Sequence, residues 1–378
     1  MLGAKQQAQP RHAKHAKPMP EGKTPRTQTK SVSDKRPVKT DKKKDKNAAA
    51  NRTITILASA VLVVCLGVLG KEVYEMVDAK KNHDVLKDIY ANSKNSTVIL
   101  PDPGEPVVTV PAADDPGDDT TAGSTDPDKP AETEVIRQPR PIMAAANELI
   151  AINADTVGYV RIPDLVEEPV VKGTDNEYYL NHNFYGTQRQ CGTCFADYRN
   201  VVGDYERSDN IILYAHNQKD GTMFGELDKY RWDLHAWKTY PFVYFSSNYS
   251  DDTYVIISSF VINTIPEHDD GKELFDYNNY INFSDSGKYT FESFKKEITA
   301  RSWFFTGLDF NKDDEYITLS TCSTEWDDSR HVVVARKLRD YETEESVLKE
   351  AHYVLNDNIK WPAIYYKYHG GSYIEPEE

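Results

Sequence analysis

Cysteine is scarce, with four residues in a chain of 378. That is too few for the disulfide framework that replaces a core in small secreted domains, and no CxxC…CxxC pair exists to build a zinc ribbon. No HExxH motif and no His/Cys cluster at ligand spacing occurs, so neither a catalytic metal nor another cofactor is expected. The acidic pairs Asp114/Asp115 and Asp118/Asp119 lack EF-hand spacing and read as solvated charge. Apolar residues are also few, at 39% of the chain, yet 24 Tyr, 13 Phe and 5 Trp demand a real core somewhere. A wholly disordered chain is excluded, and the low average must come from segments outside that core.

Acidic residues are nearly missing from the first 50 positions, which carry 14 Lys/Arg against 4 Asp/Glu. The total of −15 therefore leaves −25 on residues 51–378, and the chain is polarised end to end. Charge is absent altogether between Arg52 and Lys71, where TITILASAVLVVCLGVLG runs for 18 residues. As a helix this is about 27 Å long against a hydrocarbon core of about 30 Å, and no soluble helix needs to be apolar on every side for so long. More than 50 residues precede it and no AxA site follows, so it reads as an uncleaved signal anchor, residues 53–70, rather than a signal peptide. Its basic flank predicts that residues 1–52 form a disordered cytoplasmic tail and that everything after Lys71 lies outside the cell. Contact with anionic lipid suits that tail better than a nucleic-acid partner.

Residues 71–97 have helical composition, with Val73, Met76, Val77, Val85, Leu86 and Ile89 apolar and no evident partner. Residues 98–141 read as an acidic, proline-rich linker: Val98 to Glu134 holds seven Pro, ten acidic residues and one Lys, and predicts an extended tether. Order returns at 142–340. MAAANELIAIN reads as a helix, and about eight short β-branched or aromatic runs follow, among them VGYVRI, NIILYAH, TYVIISSFVI, EYITLSTC and RHVVVARKL. Such a series predicts a mainly β domain, barrel or sandwich. The helix expected over Thr290 to Trp303 sits outside it, and residues 341–378 form a C-terminal extension with helical text from Glu342 to Leu355.

Within YITLSTCSTEWDDSRHVVVARKL two strands flank a seven-residue polar connection, Ser323 to Ser329, so Cys322 and Arg330 should face one another across a hairpin mouth. A thiol beside a cation in an exported domain is a candidate activated nucleophile. NIILYAHN delivers His216 to the end of a strand, where a rigid element meets a loop. TLSTC with Arg330, and YAHN upstream, resemble the signature of the sortases, the cysteine transpeptidases of Gram-positive cell surfaces. NADTVGYVRIPDL through CGTCFADYRN, the loop HNQKDGTMFGELDKY and the insertion Pro266 to Trp303 are similar to class B rather than the more compact class A.

The resemblance implies a closed barrel of about eight strands with peripheral helices. It implies Cys322 as nucleophile, His216 as acid–base partner, Arg330 as the cation at the site and, more weakly, Thr321 in substrate placement. The activity implied is cleavage of an LPxTG- or NPxTN-like sorting signal on surface proteins and transfer to an amine of peptidoglycan or its lipid II precursor. A pilin-polymerising sortase and a non-catalytic tethered β-domain are the alternatives. Cys191 and Cys194 form a CxxC without the βαβ context of a redox motif and read as two thiols without catalytic duty. His331, one residue beyond Arg330, should point to the opposite sheet face.

Overall fold

The structure, a computed structural model, describes residues 43–94, 107–108, 135–136, 139–231, 234–272 and 274–372. The basic tail up to residue 42 and most of the acidic linker lie outside the described residues. The chain divides into two units, Met1–Leu66 and Gly67–Glu378. In the first, helix α1 (Lys43–Lys94) exposes Ile54, Leu57, Val61, Val64 and Leu66. The helix is long and apolar enough to cross a membrane, and none of its most apolar stretch is buried.

The second unit holds the rest of α1, two two-residue strands, β1 (Val107–Val108) and β2 (Val135–Ile136), which pair with each other, and the main domain. That domain begins with α2 (Ala144–Ile152), β3 (Thr156–Ile162), β4 (Val166–Val171), β5 (Phe195–Ala196) and β6 (Asn210–Tyr214). It continues through α3 (Leu234–Thr239), β7 (Phe242–Ser247), β8 (Asp251–Asn263), α4 (Phe291–Arg301) and β9 (Phe304–Phe305). It ends with β10 (Tyr316–Cys322), β11 (Ser329–Lys337), α5 (Glu344–Glu350), β12 (Val354–Leu355) and α6 (Ala363–His369). Eight strands close into a barrel in the order β10-β11-β8-β7-β3-β4-β5-β6, a mainly β architecture with helices around it.

Alternation along the strands builds two cores. Ile317 and Leu319 of β10, Ile211 and Leu213 of β6, and Val333 and Ala335 of β11 fill the barrel with Val160, Phe245 and Tyr254. The intervening residues, Tyr316, Ile212, Val332 and Val334, are as deeply buried on the outside, because the segment between β8 and β9 folds over them. In that segment α4 is capped by Thr290, whose hydroxyl accepts from the Ser293 N–H, and it presents Phe291, Phe294 and Ile298 at one-face spacing. An apolar outer face on one side of a barrel is thus a designed docking surface for a helix, each large side chain contributing about 1.5–3 kcal/mol.

The juxtamembrane helix finds its partner on the other side. Leu86 and Tyr90 of α1 are buried against the barrel, Tyr90 stacks on Tyr159 at 3.8 Å, and its hydroxyl donates to Ser246. Val73, Met76, Val77 and Val85 stay exposed, so four of the six apolar positions singled out in that stretch are not its docking face. The C-terminal extension is built into the domain too: Trp361 and Ile364 join the barrel core, and Arg336, 1% exposed, donates two bonds to Glu342 at 2.7 and 3.0 Å.

Two stability outcomes follow from this packing. A Cβ on Gly158 in β3 would meet the Ser246 carbonyl oxygen at 2.5 Å and the Phe245 ring at 2.8 Å, so Gly158→Ala is expected to cost about 1–3 kcal/mol in chemical denaturation. Burial tends to raise the Glu342 carboxyl, but Arg336 holds it below its usual range. Its contribution is therefore full above the ordinary glutamate range and fades as pH falls through the lowered value. Glu342→Ala, leaving Arg336 buried and unpaired, is expected to cost about 3–5 kcal/mol at pH 7 and to show a weaker loss of stability on acidification than the parent.

Candidate active site

Cys322 closes β10, and three ladders set what surrounds it. β10 pairs antiparallel with β11 so that Cys322 lies opposite Arg330. β11 pairs with β8, which sets Arg330 opposite Ile262. β10 runs parallel to β6 with Ser320 beside Tyr214, and the Ala215 N–H continues the ladder to the Ser320 carbonyl at 3.3 Å. Positions two apart share a face, so Ser320 and Cys322, Tyr214 and His216, and Arg330 and Val332 all belong to the outer face of the barrel. Opposed residues on neighbouring strands have Cβ atoms about 4.5–5.5 Å apart. Cys322, His216 and Arg330 all border one cleft of about 390 Å³ between that outer face and residues 274–278 of the insertion.

Cys322 is exposed, whereas His216 and Arg330 are half-buried. The Nε2 of His216 lies 2.7 Å from the Leu180 carbonyl, in a 3-10 turn between β4 and β5. A carbonyl only accepts, so Nε2 carries the hydrogen and Nδ1 is the nitrogen free to exchange a proton. Arg330 donates to the Ser329 carbonyl at 3.1 Å and has no carboxylate partner among the described residues. Its charge is left to the cleft. The connection between β10 and β11 is pinned by the Ser323 N–H donating to the Ser329 carbonyl, the Ser329 hydroxyl donating to Trp326, and the buried Trp326 itself. Asp328, at φ 62°, makes the left-handed turn there, a conformation that aspartate tolerates better than most residues.

Asn217, directly after His216, donates to the Cys322 carbonyl at 3.0 Å and to Asp228 at 3.3 Å. The motif contains it, but no chemistry marked it out by residue type. Arg231 reaches across to Thr324 at 3.1 Å and pairs with Glu325, so the loop after His216 and the hairpin after Cys322 are bound to each other. Beneath the cleft the Tyr277 hydroxyl shares a hydrogen with Ser320 at 2.6 Å, and burial pushes that phenol up to about 12. Tyr214 donates to Asp197, which also accepts from Asn176 and Arg199. Burial works to raise Asp197, but the bonds from Arg199 and Asn176 outweigh it and hold the carboxyl below its usual range.

Thr321 is 2% exposed, faces the barrel side of β10 opposite His331, and forms part of the cleft wall. Its hydroxyl has no hydrogen-bond partner among the described residues. His331 points inward, fully buried between the Ser259 hydroxyl at 2.9 Å and the Trp303 ring. Burial, with the Arg231 charge second, pushes it down to about 3, so it is a neutral core histidine. Cys191 and Cys194 are free thiols, and burial raises both.

The family model of the sortase domain matches residues 160–338. Sortase B of Listeria monocytogenes is 29% identical over 200 residues, which are 50% of this chain and 72% of that protein. Sortase B of Staphylococcus aureus is 27% identical over 191 residues, with the same two coverages. Among solved structures, Clostridium perfringens sortase B aligns at 28% identity with a TM-score of 0.44, over 51% of this chain and 99% of that one. A Staphylococcus aureus sortase B–substrate complex aligns at 26% identity and a TM-score of 0.45, over 53% and 87%. The match begins in β3 and ends just past β11, so residues 160–338 form a sortase domain, and the chain is similar to the class B sortases, which are cysteine transpeptidases.

Proposed function

We propose that the chain cleaves the C-terminal sorting signal of surface proteins and transfers them to a cell-wall amine, with Cys322, His216 and Arg330 as the working groups. The observation that carries this is their position at the ends of three adjacent strands, on one face, around one cleft. The Cys322 sulfur attacks the scissile carbonyl of an LPxTG- or NPxTN-like signal, forming a tetrahedral centre. His216, held through Nε2 by Leu180, gives a proton from Nδ1 to the departing amine. Arg330, without a carboxylate of its own, stabilises the oxyanion or clamps the signal next to it. The thioester then meets the acceptor amine, His216 takes up its proton, and the new amide leaves. Thr321, whose hydroxyl is buried, shapes the cleft wall.

In the same reading residues 53–70 are a membrane anchor, with 1–52 cytoplasmic and the domain from 142 outside. The exposed apolar run of α1 supports the span, and the basic flank supports the orientation.

The test is mass spectrometry of sorting peptides incubated with the full chain in detergent, with and without candidate amines. The parent is expected to yield both a cleaved peptide and an amine adduct. Cys322→Ala is expected to lose at least about 10³-fold while keeping its melting transition, and His216→Ala to be comparably inactive. Arg330→Ala should lose about 10²–10³-fold, and Arg330→Lys, with a charge but no fork, should recover only part. A Cys322→Ala protein that cleaves at the parent rate overturns the assignment. The orientation is checked separately in cells: an added cysteine in the 98–141 segment should react with an impermeant thiol reagent, and one in 1–52 should not.

A further inference from the structure

Glu168 of β4 is a buried carboxylate, 5% exposed, that no step above uses. Its Oε1 accepts the Met223 N–H at 2.9 Å and lies 3.2 Å from Nδ1 of His83 on α1. Met223 ends the loop that begins at His216. It holds a left-handed backbone, φ 58°, which a side-chain-bearing residue adopts only where its surroundings enforce it. It bridges back to Asn217, and the next residue, Phe224, donates its N–H to the His216 carbonyl at 3.0 Å. Asn217 in turn holds the Cys322 carbonyl. A second route leads from the same helix to the other side of His216. Asp78 of α1 pairs with Arg189, whose backbone N–H donates to Asn181, the residue after the Leu180 carbonyl that orients the imidazole.

We propose that His83 of α1 helps to position the active site, acting through the His83–Glu168 pair on the loop from His216 to Met223. Glu168 is then a positioning residue: it fixes Met223, Met223 closes the loop on Asn217 and His216, and the nucleophile and its histidine inherit that geometry. The hydrogen bond to Glu168 raises His83 above its ordinary value against the effect of burial, which agrees with a closed pair. The inference rests on the catalytic roles given above to Cys322 and His216, so its test needs one readout that does not require the sorting peptide.

The test uses the full chain in detergent. Glu168→Ala is expected to lower kcat about tenfold with KM within about twofold, since misplacing a catalytic group acts on the reacting step rather than on binding. Glu168→Gln, which keeps an acceptor for the Met223 N–H, is expected to return kcat to within about threefold of the parent, and His83→Ala to lose about threefold. Lys87→Ala removes another helix-to-barrel pair, Lys87–Glu167 at 2.5 Å, that does not reach the loop, and its kcat should stay within about twofold. The rate of iodoacetamide addition at Cys322, read by peptide mapping, should fall in the same order. If the parent cuts no peptide while that rate still follows Glu168 and His83, the proposed function fails and the positioning stands. Parent-like kcat and alkylation in both Glu168→Ala and His83→Ala overturn it, as does a loss in Lys87→Ala equal to that in Glu168→Ala. Should Glu168→Ala not fold, His83→Ala and Glu168→Gln decide by the same limits.

Discussion

Everything at the site depends on the register of three strands. β6 and β10 run parallel with Tyr214 beside Ser320, and β10 and β11 run antiparallel with Cys322 opposite Arg330. Because side chains alternate, one residue of slip in either ladder would send a site residue into the barrel and bring a core residue out. His331 gives the measure of that constraint. It is the immediate neighbour of Arg330, yet it sits at zero exposure against Ser259 and Trp303, while Arg330 borders the cleft. Ile317, Leu319, Val333 and Ala335 on the inner face make any other register expensive, so the core that stabilises the fold also specifies which side chains meet outside it.

The outer face would be solvated on an ordinary barrel, and here it is not. The insertion between β8 and β9 covers Ile212, Val332 and Val334 with α4 and a set of aromatic side chains, and it stops where the strands end. The cleft is what remains between that cover and the last outer-facing residues. This explains why it is part apolar, with Ile262 and Phe275, and part polar, with Ser320 and Tyr277 joined by a short hydrogen bond. It is shielded from water on its floor and open at Cys322.

Much of this was legible in the sequence, for identifiable reasons. The strand runs are short, β-branched and well punctuated, and the seven-residue link from Ser323 to Ser329 forces Cys322 and Arg330 together whatever the rest of the fold does. The helix over Thr290 to Trp303 carries its own cap and one apolar face. What stayed illegible depends on contacts that no residue type announces. The docking face of α1 comes down to Leu86 and Tyr90, hidden among Val73, Met76, Val77 and Val85, which are equally apolar and remain exposed. The group that orients His216 is a backbone carbonyl, present at every position of every chain. Asn217 lay inside the recognised motif, but its bond to the Cys322 carbonyl exists only because two loops distant in sequence end side by side. The acidic segment after α1 read as a tether to a free domain, and nothing in its composition hinted that the helix before it packs on the barrel.

The electrostatics of the site follow from how two arginines are treated. Arg231 and Arg330 both lie at the hairpin that carries Cys322. Arg231 is tied down, paired with Glu325 and bonded to Thr324, so its charge serves to bind the His216 loop to the hairpin. The nearby imidazole of His331 adds no positive charge, because burial and the Arg231 charge keep it neutral far below physiological pH. Arg330 donates to a backbone carbonyl and pairs with no carboxylate among the described residues. A cation half out of water with no carboxylate of its own still has attraction to give, and an oxyanion or a peptide carbonyl arriving in the cleft is where it can be given. Arg231, on the His216 loop, is satisfied within the protein, whereas Arg330, at the start of β11, is left open to the cleft.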